Sequence, residues 1–147
     1  MTPNNTQILD TAVENLGLSI LLVQEEAIAN LLTLHPRICR QGGKHIRKRA
    51  FGASCPDDTC RSVNERLLVE TSICLSWLQK SWRRETINKK ISTYGWKHVV
   101  EKAAGVYIPE GAFILACLID GDIQVHLSCS GAAYVGLDPD NRYEERD

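Results

Sequence analysis

Between residues 92 and 137, glycine, proline and a change of hydrophobic period mark out two helices and a hairpin in a fixed order, which constrains the fold more than any other stretch. Ser92 or Thr93 is placed to cap a helix whose apolar face is Trp96, Val99, Val100 and Ala103, with Gly105 placed to end it. Pro109 falls where the first turn of a helix tolerates a missing amide proton. Residues 112–119 are apolar almost all round, which predicts a buried helix, and Asp120-Gly121 stops it. Ile123, Val125 and Leu127 then alternate with Gln124, His126 and Ser128, Ser130-Gly131 reads as a turn, and residues 133–137 read as a returning strand.

Upstream the pattern is helical. Ile8, Leu9, Ala12, Val13 and Leu16 recur at spacings of three and four, and Gly17 ends that helix. Ala27, Ile28, Leu31 and Leu32 predict a second helix closing before His35-Pro36, because a residue preceding proline is pushed out of helical geometry. Asp58 or Thr59 is expected to cap a long helix reaching about Arg84, striped by Leu67, Leu68, Thr71, Cys74, Leu75, Leu78 and Trp82. Residues 36–58 carry no period and read as an irregular basic loop, and residues 138–147 as an acidic tail. The expectation is one domain over residues 1–147, mainly α (α+β), with a helix-turn-helix plus hairpin module at 86–137. The order of elements makes its C-terminal half winged-helix-like.

The apolar run at residues 16–34 contains Gln24, Glu25, Glu26 and Asn30, so it does not read as a membrane span. Residues 1–10 hold no Lys or Arg, unlike an export signal, and a cytoplasmic location with reduced thiols is expected. Cys74 and Cys117 sit among apolar neighbours and read as small core residues. Cys39, His45, Cys55 and Cys60 have zinc-ligand chemistry but poor spacing, since Cys55 and Cys60 enclose four residues and Cys39 and His45 five. No metal or cofactor is expected. With no phosphate loop, catalytic carboxylate pair or nucleophile elbow, the chain reads as a non-enzyme, and a Cys/His metal or thiol enzyme stands only as a distant alternative.

Seventeen basic and 18 acidic residues leave a net charge of −1, so no global attraction to polyanions follows. Locally the balance differs. Residues 37–49 hold Arg47, Lys48 and Arg49 among six cations and no acid, and residues 80–102 hold Arg83 and Arg84 with five lysines. These stretches suit phosphate contacts. Residues 111–118, in the place of a recognition helix, offer no side chain able to read a base edge. Trp82 and Trp96 fall on apolar stripes and are expected in the core. Trp77 lies off its stripe; core packing is the favoured fate, and an exposed indole there would be a candidate interface anchor.

Residues 92–101 read Ser-Thr-Tyr-Gly-Trp-Lys-His-Val-Val-Glu and residues 107–114 read Tyr-Ile-Pro-Glu-Gly-Ala-Phe-Ile. Here the chain resembles a family of small proteins of bacterial plasmids and integrative elements, whose pattern is a Ser-Tyr-Gly-Leu-Lys-His-x-x-Glu helix, then Tyr-Ile-x-Asn-Gly-Ala-Phe-Ile and a hairpin. Trp96 replaces the usual Leu, and Pro109-Glu110 a Ser-Asn-like pair. The resemblance covers residues 86–137 and singles out Tyr94, Lys97, His98 and Glu101, whose spacing gathers them on one helical patch. It brings no molecular role with it. Joined to the lack of catalytic constellations, it leads to the expectation of an accessory protein of a mobile element that binds another macromolecule, such as a host-defence component that it inhibits. The alternative is a nucleic-acid-binding regulator using residues 37–49 and 80–102.

Overall fold

The computed structural model describes residues 3–43, 58–128 and 131–138. Its helices are α1 (Asn5–Leu16), α2 (Glu25–Leu34), α3 (Glu65–Gln79), α4 (Thr93–Ala104) and α5 (Glu110–Asp120), with a 3-10 turn at Asp58–Arg61. The strands are β1 (Arg83–Ser92), β2 (Val125–Leu127) and β3 (Ala133–Leu137). The expected mainly α architecture with a C-terminal hairpin holds, and no described helix is long and apolar enough to cross a membrane.

Local signals set most boundaries. Asn4 and Gln7 cap α1 reciprocally, each backbone amide donating to the other's side chain at 2.8 Å. Gly17, Gly105 and Gly121 close α1, α4 and α5. Ser92 stands at the N-cap of α4, as expected, and Pro109 at the N-cap of α5, just before the first turn in which it was expected.

The long helix expected from Asp58 or Thr59 to Arg84 is shorter at both ends. Asn64 is its cap, its side chain accepting from the Leu67 amide at 2.9 Å. At the other end the Ser81 amide bonds to Leu78 O and its hydroxyl to Trp77 O, which draws the chain out of the helical ladder. Arg83 then opens a strand that the sequence reading missed.

That strand is hidden because its pairing is irregular. The sheet order is β1-β3-β2, all antiparallel, and β1 pairs with β3 in the register Arg83↔Leu137, Asn88↔Val135 and Ser92↔Tyr134, with register shifts between. Such bulges erase the period-2 alternation by which a strand is recognised. Asn88 fills one of them, buried, donating to Leu137 O at 3.2 Å and accepting from the Lys90 amide at 2.9 Å. At Gly136 a Cβ would stand 2.7 Å from Arg84 O, so only glycine lets β1 lie this close.

The core centres on α5, buried from Gly111 through Cys117, and on α3. Trp77, Trp96 and Phe113 meet there, with ring centroids 6.1 Å apart for Trp77 and Trp96 and 6.3 Å for Trp77 and Phe113. Trp77 is therefore no interface anchor. On a helix buried over almost its whole circumference, lying off the main stripe does not mean facing solvent. Trp82, expected in the core, is 45% exposed because it follows the end of α3 instead of continuing it. Cys74 and Cys117 are core residues as expected, and burial pushes both thiols well above their ordinary range.

The described part of the irregular segment is tied down firmly. Arg61 donates Nε to Ile38 O at 3.0 Å and Nη2 to the carbonyls of Leu32 and His35. A turn at Cys39 and Gly42 packs on the start of α5, where the Gly111 amide donates to Arg40 O at 3.1 Å. Arg47, Lys48 and Arg49, with His45 and Cys55, lie outside the described residues.

Candidate binding surface

Tyr94, Lys97, His98 and Glu101 fall at intervals of three, one and three along α4, so a single face carries them. The structure brings all four together. Lys97 Nζ lies 2.9 Å from Glu101 Oε1, and His98 Nδ1 lies 2.9 Å from Glu101 Oε2. The Ile108 amide, from the loop after α4, donates to Glu101 Oε1 at 3.1 Å. Burial pushes the Glu101 carboxyl up, but the bonds from Lys97, Ile108 and His98 outweigh it and hold the group below its ordinary range. An ionised Glu101 selects the His98 tautomer with its proton on Nδ1, leaving Nε2 as the ring's other hydrogen-bonding atom.

The aromatic residues are held as firmly. The Tyr94 and His98 rings meet edge to face with centroids 4.6 Å apart. Lys97, only 6% exposed, sits with its ammonium 5.5 Å from the Tyr94 centroid and 4.7 Å from that of Tyr107. Arg40 lies 5.8 Å over the Tyr107 ring, and its guanidinium grips Glu70 through Nε at 3.1 Å and Nη2 at 2.6 Å. Tyr94 and Tyr107 nevertheless stay more than half exposed. Both rings are thus fixed by cations that are themselves neutralised by carboxylates, an arrangement that presents apolar area at low entropic cost.

Sequence reasoning placed Arg40 only within the basic stretch 37–49, gave Tyr107 no site role and did not reach Glu70. Tyr107 opens the second half of the 92–114 pattern, and that was its only signal. Arg40 and Glu70 meet across 30 residues of chain, which no periodicity reports. At the start of α5, Glu110 accepts from Thr93 Oγ1 at 2.7 Å, and burial pushes its carboxyl up.

The basic candidates divide. Arg83 is bound by Asp120 through Nη1 at 2.7 Å and Nη2 at 2.8 Å, and also donates to Leu78 O at 3.0 Å. It serves the fold. Arg84 is exposed, its Nε and Nη2 on Thr86 Oγ1, and Lys89, Lys90 and Lys102 are exposed as well. Among the described residues no group of three or more Cys, His, Asp or Glu side chains is arranged to hold a metal. Cys39 and Cys60 do come near each other, through the Arg40 amide bonded to Cys60 O at 2.8 Å. Compared with protein families, curated proteins and solved structures, the chain matches none.

Proposed function

We propose that this chain is a non-enzymatic accessory protein of a bacterial mobile element that docks a protein partner through the α4 face and Tyr107, a host-defence component being the kind of target such a protein inhibits. One observation carries the reading: Lys97, His98 and Glu101 of the 92–101 pattern are hydrogen-bonded together beneath two tyrosines, Tyr94 and Tyr107, that stay more than half exposed. Fixed aromatic area beside buried charge pairs is the composition of an interaction hot spot. The test is capture from a nuclease-treated extract of the bacterial host, comparing wild type with a Tyr94→Ala/His98→Ala variant. A protein retained by wild type and lost by the variant is expected. Material that disappears on nuclease treatment, or binds both forms alike, overturns the reading.

A second reading, a nucleic-acid-binding regulator, draws support from topology. The succession α3, β1, α4, α5, β2, β3 with sheet order β1-β3-β2 is compatible with a winged-helix arrangement. The helix in the reading position, α5, has residues 111–117 buried, so any contact would run through exposed cations such as Arg84, Lys89 and Lys90. Binding of that kind weakens steeply with salt and ignores sequence. Salt-insensitive or sequence-selective binding to a DNA duplex would rule it out.

A further inference from the structure

A cavity of about 380 Å³ opens between the first turns of α1 and α3 and the loop after α4. Its apolar wall includes Ile8, Val106 and Tyr107, its rim Thr11, and its charged lining residues are Arg66 and Glu70. Those two stand four residues apart on α3 and so share a face.

The charges do not balance. Glu70, its side chain 2% exposed, is occupied by Arg40 on both carboxylate oxygens. Arg66 donates Nε to Asn5 Oδ1 at 2.5 Å and Nη2 to Pro3 O at 2.8 Å, both neutral acceptors. Its Nη1 takes part in neither bond. Among the described residues, two guanidinium groups against one carboxylate leave a surplus positive charge in a half-enclosed space walled by hydrocarbon and a phenol ring. A guanidinium held only by neutral oxygens forms a stronger, charge-assisted bond when an anion is offered.

Size and charge narrow the ligand. The volume lies at the low end for ligand sites, which suits a small molecule rather than a nucleotide or a peptide strand. A single surplus charge, with the Glu70 carboxylate close by, favours a monoanion over a phosphate dianion.

We propose that this cavity binds a small organic carboxylate with an apolar or aromatic body, its carboxylate on Arg66 and its body against Ile8, Val106 and Tyr107. The site shares Tyr107 and the Glu70 that anchors Arg40 with the α4 surface, but Arg66 and Thr11 belong to the cavity alone, so either assignment stands if the other fails. The test uses indole-3-acetate and its neutral isostere indole-3-acetamide, titrated into the full-length protein by calorimetry and by ligand-observed NMR. Wild type is expected to bind the acid about ten-fold or more tighter than the amide, the factor that a charged hydrogen bond supplies. Arg66→Gln should remove that difference. Because Arg66 also ties down residues 3–5, Thr11→Trp serves as a second variant: it fills the cavity from an exposed position and should weaken both probes while the thermal melt is kept. Equal binding of acid and amide to wild type, binding of neither, or unchanged binding in Thr11→Trp overturns the proposal.

Discussion

Asp120 receives both ends of the Arg83 guanidinium, at 2.7 and 2.8 Å, and so joins the last residue of α5 to the first residue of β1. The pair is partly exposed, with side chains 28% and 7% accessible, so solvent screens much of its Coulomb energy. Asp120→Asn should cost about 1 kcal/mol in urea unfolding, from loss of a bidentate charge-assisted contact. Arg84→Ala, one residue along, should change stability by less than about 0.5 kcal/mol. Equal effects would mean that Arg83 belongs with the solvated cations after all.

The two tryptophans of the α3 region should separate sharply. Trp77→Ala, at a fully buried ring among Trp96 and Phe113, is expected to cost about 3–5 kcal/mol in the same unfolding measurement. Trp82→Ala, at a residue 45% exposed, should cost far less. A large loss at Trp82 would restore the continuous helix that the apolar stripe suggests.

Backbone contact at the start of α5 leaves no room for a methyl group. A Cβ on Gly111 would stand 1.9 Å from Cys39 O and 2.8 Å from Arg40 Cα. Gly111→Ala must therefore displace the turn of residues 39–42 from the helix, at a cost of about 3 kcal/mol or more by thermal melting. A melt unchanged from wild type would contradict that packing.

Acid sensitivity should split between two carboxylates. Glu101 is held below its ordinary value of 4.5, so its contribution to stability is full above that value and is lost as pH falls through the lower folded-state value. Glu110 is raised above 4.5 by burial, so its ionisation opposes folding, and stability is lost as pH rises from 4.5 through the higher folded-state value. Glu101→Gln should flatten the acid limb of a stability profile taken from pH about 2 to 7. Glu110→Gln should raise stability at neutral pH and bring no gain at the acid end. A Glu110→Gln variant less stable than wild type at neutral pH would reverse the assigned sign.

The α4 surface should be separable from the fold. Tyr94→Ala and His98→Ala, both at exposed positions, are expected to shift unfolding by about 0.5 kcal/mol or less each while abolishing capture of the proposed protein partner. Loss of capture together with a collapsed melt would show that the residues act through stability alone.

Where chain-local chemistry decided the structure, the sequence was legible. The caps of α4 and α5, the all-apolar α5 and the β2-β3 hairpin follow from residues within a few positions of one another. What escaped was set by partners far away in the chain. β1 exists because β3 pairs with it, with Gly136 letting it approach and Asn88 mending its bulge, and no alternation survives in its sequence to announce it. The favoured core placement of Trp77 holds, and its alternative as an anchor fails for a related reason, since a helix surrounded by others has no solvent side for an off-stripe residue to face. At the candidate surface the α4 residues were readable from their spacing, whereas Arg40 and Glu70 were not, because their contact spans 30 residues.

The enclosure of α5 divides the tolerance of this chain to change. Any substitution from Gly111 to Cys117 is judged at once by packing, so drift there should be slow and confined to apolar exchanges of similar volume. Tyr94, His98 and Tyr107 lie outside that constraint and can be exchanged without endangering the core. A chain built this way can vary its exposed face while its keel stays as it is.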